Sequence, residues 1–220
     1  MSDLISLDDP LDDQNKTKKS KTRGKRVDAQ NNRTKLLSVA QQLFNQQGIE
    51  AVTMMAIAET AGVGQGTLYR AFANKGELCV ALLDADLRRF QQETILLLRD
   101  GQLASALTQL TAFLDRLVHF LDQHVVLMCE VQNYKLLGDE INHTGLHTWF
   151  YETVHRLLQA ATAQNQIRAD ISLTYLTDTT LALLNPTLFL HQRQVQGLSV
   201  KQISDALIEV LMRGIANEGN

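Results

Sequence analysis

The sequence is poor in cysteine, proline and aromatic residues, and each scarcity excludes something. Its two cysteines, Cys79 and Cys129, lie far apart without CxxC spacing, so neither a disulfide framework nor a cysteine metal site is expected, and a reducing compartment suits the chain. Two prolines and sparse β-branched runs favour helices over sheet. No run approaches the roughly 20 apolar residues that span a bilayer, and no apolar segment with a small-residue cleavage site heads the chain. A soluble, cytoplasmic protein is the expectation. Also missing are G-x-S-x-G, H-E-x-x-H, a Walker loop and a Rossmann glycine set, so neither an enzyme nor a bound cofactor is expected.

What is present is 220 residues, 45% of them hydrophobic, enough for one large domain or a small one joined to a larger one. The net charge of -3 conceals an asymmetry. Residues 1–14 hold five aspartates and no Lys or Arg, residues 15–75 hold 11 basic residues against 3 acidic ones, and the remaining 145 hold 10 basic and 16 acidic. Positive charge gathered in one part of a chain is a footprint of polyanion binding. Residues 1–27, with the run "KTKKSKTRGKR", lack the apolar content for a packed core and are expected to form a disordered arm that contacts DNA.

From Asn32 the pattern changes. Leu36, Val39, Ala40, Leu43 and Phe44 recur at helical spacing, and Gly48 ends that helix. Thr53 stands as the N-cap of a second helix, "MMAIAETAG", which ends at Gly62. Two helices crossing near a right angle need a small residue at the crossing, a glycine to turn the chain and an apolar anchor on the second helix. Ala58, Gly62 and Leu68 have those types at those offsets, with Ile57, Ala61, Val63 and Phe72 completing a small core. The segment reads as a helix-turn-helix over residues 28–74, and the helix beginning near Gly64 is the one offered to the major groove.

The stretch "IAETAGVGQGTLYRAFANKGEL" (57–78) closely resembles the DNA-binding domain of the TetR family of bacterial regulators, whose pattern runs approximately "T...IA..AGVS.GTLY.HF..K..L". Matching positions are Thr53, Ile57, Ala58, Ala61, Gly62, Val63, Gly66, Thr67, Leu68, Tyr69, Phe72, Lys75 and Leu78. The resemblance implies that Thr53, Thr67, Tyr69 and Lys75 clamp the DNA backbone. Gln65 and Arg70 are the candidates for reading base edges, because Gln pairs bidentately with adenine and Arg with guanine. Gly66 lets backbone approach DNA, the amino end of the short helix at Gly64 offers free amides to phosphate, and Arg33 on the first helix completes the candidate set. Two departures stand out: Gly64 where the family has Ser, and Ala71 where it has His or an aromatic.

Beyond residue 75 the pattern predicts amphipathic helices over roughly 75–99, 102–122, 125–137, 144–165, 172–196 and 199–216, with Ser172 and Ser199 as N-caps and Pro186 kinking its helix. Residues 75–220 are therefore expected to form an all-α effector-binding and dimerisation domain. The resemblance implies that the last two helices pair with those of a second subunit in a four-helix bundle, a homodimer on a pseudo-palindromic operator. It also implies a cavity for a small effector, for which Phe113, Leu117, Met128, Gln132, Trp149, Phe150, Thr179 and Leu183 are the candidates. Apolar walls with few polar groups suit a lipophilic ligand. His143 and His147 stand at i, i+4 near Asp139, Glu140 and His155, but Gly145 weakens the helix between them and no metal is expected. Two readings follow: a dimeric regulator, most simply a repressor released by its effector, or an architectural DNA-binding protein of the same fold without a small ligand.

Overall fold

A computed structural model describes residues 10–99, 105–135 and 145–216. These are helical, with no strand among them, and the chain divides into two compact units, Met1–Asn74 and Lys75–Asn220.

In the first unit α1 runs Pro10–Gln47, α2 Met54–Thr60 and α3 Gln65–Ala71. The expected disordered arm is thus helical from Pro10 onward, while residues 1–9 lie outside the described residues. A helix propagated backward from Asn32 needs no new nucleus, its Lys, Gln and Arg residues lose little rotamer freedom, and Pro10 sits where its missing N–H costs nothing. Gly48 closes α1 in the left-handed conformation, φ +79°, with its N–H on the Phe44 carbonyl at 3.0 Å. Ile49 and Val52 bury the link. Thr53 then caps α2, its hydroxyl accepting from the Ala56 amide at 3.1 Å. Gly62 makes the turn at φ +62°; a side chain there would meet nothing closer than Lys35 Nζ at 3.9 Å, so conformation and not space demands glycine. Gly64 begins α3 without any side-chain cap bond, as expected for the position where the TetR pattern has serine. The three helices pack pairwise around Leu36, Ala40, Ile57, Ala58, Ala61, Leu68 and Phe72, all buried.

In the second unit α4 spans Lys75–Arg99, α5 Ala106–Lys135, α6 Gly145–Ala163, α7 Leu173–Ala182, α8 Pro186–Gln194 and α9 Val200–Ile215. Helix α5 is the hub: α4, α6, α8 and α9 all pack on it, and α6 also packs on α7. Its residues Leu110, Phe113, Leu114, Val118 and Leu121 are almost fully buried. The two helices expected at 102–122 and 125–137 are one, because Gln123 and His124 carry no breaking tendency. The helix expected at 172–196 is two. Pro186 cannot donate to the preceding turn, and Asn185 instead caps α8 by accepting from the Leu188 amide at 3.1 Å.

Side chains from the segment after α6 satisfy the amino end of α5. Gln164 Oε1 accepts from the Ala106 amide at 3.0 Å and Gln166 Oε1 from the Leu107 amide at 2.9 Å. The "IRADIS" link is then stitched to the end of α9 by Arg168 N–H on the Ile215 carbonyl, 2.9 Å, and Ser199 opens α9 with a capping box to Gln202. No described helix is long and apolar enough to cross a membrane.

Cys79, on α4, is fully buried, and burial first, with the nearby Glu130 carboxylate second, pushes its thiol up to about 12. A folded-state pKa above the unfolded one contributes stability that is fully present below 9.0 and is lost as pH rises toward 12. Iodoacetamide at pH 9 should leave Cys79 intact in the folded protein and label it after unfolding in denaturant. Rapid native-state labelling of Cys79 in a mass-spectrometric peptide map would contradict this burial.

Candidate nucleic-acid interface and effector cavity

Helix α3 has seven residues, too few to hold itself, and two apolar side chains fix its orientation. Leu68 and Phe72, one turn apart, are buried against α1 and α2. Gln65, Gly66, Tyr69 and Arg70 consequently share the opposite, exposed face, with Tyr69 53% exposed. Arg70 lies back along the helix: Nε donates to the Gly66 carbonyl at 2.9 Å and Nη2 to Thr67 Oγ1 at 3.3 Å. Thr53 is exposed, and after accepting from Ala56 its hydroxyl proton is still able to donate. Around Gly64 and Gly66 an added side chain would meet nothing within 4 Å, so the backbone there is open to close approach.

Two of the candidate contacts are engaged inside the protein. Arg33 Nη1 donates to the Ala71 carbonyl at 2.7 Å, and the guanidinium lies 4.2 Å above the centroid of the Phe72 ring. It closes the carboxyl end of α3, where orphan carbonyls favour a cation, and adds a cation–π contact. Arg33 therefore positions the exposed helix.

Lys75 departs further from expectation. It is buried at the head of α4, its Nζ 3.4 Å from Glu130 Oε1 on α5, with side chains 9% and 12% exposed. An exposed charge waiting for phosphate was expected there; a buried ion pair stands in its place. The sequence could not disclose this, because Glu130 is distant in the chain and meets Lys75 only through the packing of α5 on α4.

The second unit contains a partly open cavity of about 410 Å³, within the size range of small-molecule sites. Helix α5 contributes Leu117, Leu121, Met128, Val131 and Gln132, α6 contributes His147 and Phe150, and the segment from Asp178 to Pro186 closes the remaining side. Of the eight candidates, Leu117, Met128, Gln132 and Phe150 are in the wall. Phe113, Trp149, Thr179 and Leu183 are not among its lining residues. Phe113 is fully buried and, with Trp149, joins a ring cluster around Phe90, centroids 6.3 and 6.0 Å away. Leu183 is 39% exposed at the end of α7. Asp178, Leu181 and Ala182 on α7, with Leu184 and Asn185 in the link to α8, also line the cavity and were not among the sequence candidates, because which face of α7 meets α6 is set by tertiary packing.

His143, Asp139 and Glu140 lie outside the described residues. His147 lines the cavity, and His155 meets Thr177 Oγ1 at 3.1 Å from its Nδ1. No metal-holding group of three or more His, Cys, Asp or Glu occurs among the described residues.

Removing one member of a buried ion pair strands the other charge, a loss of about 3 kcal/mol. Lys75→Met should lower unfolding stability by that order, and adding Glu130→Leu should restore most of it. Urea titrations of the three proteins measure both effects, and a Lys75→Met variant as stable as the parent would show that the pair contributes nothing.

Residues 36–82 match the sequence model "Bacterial regulatory proteins, tetR family". The HTH-type transcriptional regulator SAB2452 of Staphylococcus aureus is 27% identical over 189 residues, covering 85% of this chain and 96% of the relative. A second regulator of that organism, SAR2658, is 28% identical over 190 residues with the same coverage. Among solved structures, Thermus thermophilus FadR, a TetR family transcriptional repressor in complex with lauroyl-CoA, superposes with a TM-score of 0.64 at 18% identity, over 86% of this chain and 97% of the other. The ketosteroid transcriptional regulator KstR2 of Mycobacterium tuberculosis superposes with a TM-score of 0.56 at 19% identity, over 84% and 95%. The match at residues 36–82, the similarity to transcriptional regulators along most of the chain and the shared helical fold agree, and they make the chain similar to the TetR family of bacterial regulatory proteins and support a DNA-binding transcriptional regulator.

Proposed function

We propose that this protein is a dimeric repressor whose α3 reads an operator and whose cavity binds a small, largely apolar effector that releases it. The observation that carries the proposal is the exposed polar face of α3, Gln65, Gly66, Tyr69 and Arg70, anchored from behind by Leu68 and Phe72. Thr53, Thr67 and Tyr69 are the phosphate contacts in this reading, aided by the amides at Gly64 and Gly66. Gln65 and Arg70 read bases, and Arg70 must leave its bonds to Gly66 and Thr67 to do so. The cavity favours an effector-responsive regulator over an architectural protein, since filling it with apolar side chains would have been the simpler way to a stable body.

Dimerisation draws support from the surface of the last helices. Tyr175, Leu188, Val195 and Val210, on or beside α7 to α9, are exposed apolar side chains on elements the family pairs between subunits. One seven-residue reading helix makes few base contacts, so two half-sites are needed for useful specificity. Lauroyl-CoA in the Thermus relative supports a partly apolar effector for this fold, though its identity does not transfer at 18% identity.

Coupling between cavity and reading head runs, in this proposal, through Glu130. It shares a turn of α5 with the lining residues Met128, Val131 and Gln132 and holds Lys75 at the head of α4. A ligand that binds one position of α5 better than another shifts the population by that difference in affinity.

Selection from random duplexes, followed by gel-shift titration, tests the reading. Tyr69→Phe should weaken binding to every selected sequence by about tenfold, the scale of one lost charge-assisted hydrogen bond. Gln65→Ala should change which bases are enriched at one position of each half-site while leaving phosphate affinity nearly intact. Recovery of sites without twofold symmetry, or indifference of all sequences to Gln65→Ala, would reject the docking.

A further inference from the structure

The polar groups of the cavity favour one sign of charge. Asp178 is the one carboxylate among the described lining residues, and none of them is Lys or Arg. The other polar members are Gln132, His147 and Asn185. Two of their acceptors are already used: Asn185 Oδ1 by the Leu188 amide at 3.1 Å, and Gln132 Oε1 by the Thr187 hydroxyl at 3.3 Å. The Asp178 carboxylate has no hydrogen-bond or ion-pair partner among the described residues, and it is solvent-exposed while the apolar wall of Leu117, Leu121, Val131 and Phe150 is buried. An uncommitted, solvent-exposed negative group thus borders a largely apolar cavity.

We infer that the cavity is selective for an amphiphilic monocation, an apolar body carrying an ammonium or quaternary ammonium head. This rests on the reading of the cavity as the effector site. The body displaces water from the Leu, Val and Phe wall, and the head stays near Asp178, where it is attracted without full loss of hydration. A carboxylate or phosphate head would meet Asp178 with no cation in the described wall to offset the repulsion. Long-range charge acts in the same direction, because residues 76–220 carry 16 acidic and 10 basic side chains. Met128 gives the wall an adaptable thioether, which suits bodies of differing shape and leaves the charge at the mouth as the main discriminator.

Three probes with one decyl tail separate the contributions: decyltrimethylammonium, decanol and decanoate, each titrated calorimetrically below its micellar concentration into the full-length protein. Binding should be strongest for the cation, about tenfold tighter than for the alcohol, or about 1.4 kcal/mol, and weakest for decanoate. Asp178→Asn, nearly isosteric at an exposed position, should bring the cation to within about twofold of decanol and leave decanol unchanged. Ala182→Trp, also on the exposed side of the wall, should obstruct all three while the circular dichroism and melting temperature of the protein stay near those of the parent. Equal affinity for the three tails, insensitive to Asp178→Asn but lost in Ala182→Trp, would overturn the charge selectivity and leave the cavity as an effector site. Binding of none of the three, or binding untouched by Ala182→Trp, would overturn both.

Discussion

Burial of Leu68 and Phe72 behind α3 is the constraint on which the function of this chain depends, because a seven-residue helix is far below the length at which helices persist alone in water. Its stability comes from the crevice between α1 and α2, and each nearby sequence choice serves to fit it there. Ala58 permits the close crossing, Gly62 supplies a backbone angle that other residues resist, and Arg33 secures the far end through the Ala71 carbonyl and the Phe72 ring. With the inner face committed, the outer face is free of structural duty. Gln65, Tyr69 and Arg70 can therefore be chosen for the surface they meet, which is what a family of regulators with different operators requires.

In the body the corresponding element is α5, surrounded by α4, α6, α8 and α9. One side chain on it departs from the apolar rule at a cost. Glu130 and Lys75 are desolvated together, and an apolar pair of similar volume would serve stability at least as well. What the ion pair adds is directionality: Leu and Val contacts allow neighbouring helices to slide, whereas two opposite charges in a poorly solvated place tolerate little separation before the cost rises. Cys79, fully buried on the same helix as Lys75 and close enough for the Glu130 charge to act on its thiol, belongs to the same poorly solvated place.

The division of legible from hidden follows the range of the interactions. Helix ends at Gly48, Thr53, Gly62, Ser172 and Ser199 depend on residues within a turn or two and were readable from the sequence. So was the face of α3, since a period of 3.6 with two apolar positions leaves one orientation. The burial of Lys75 was not, because its partner lies on another helix and no spacing encodes the meeting. Nor was the cavity as a whole: Leu117, Met128, Gln132 and Phe150 could be picked as inward residues, but Phe113 and Trp149 look the same in sequence and fill the aromatic core. Asp178 was invisible for a different reason: a polar residue on an apolar helix reads as its solvent side, and Asp178 is exposed there while also bordering the cavity.

The break at Pro186 also bears on how such a body can respond to a ligand at all. A continuous helix along this wall would resist local displacement through every hydrogen bond of its ladder, whereas Leu183, Leu184 and Asn185 already stand between two separately capped helices. The amides of Leu183, Leu184 and Asn185 donate to the Thr179, Leu181 and Ala182 carbonyls, so moving α8 relative to α7 disturbs these few link bonds and not the ladders further inside either helix. Because α8 packs on α5 and α5 on α4, a displacement that begins at this hinge enters the stack at its hub. The wall at the α7–α8 break is thereby joined to α5, and α5 to α4 through packing that includes the Lys75–Glu130 pair. In the proposed effector response, this ordering carries a change at the cavity into a shift of helices instead of a local repacking.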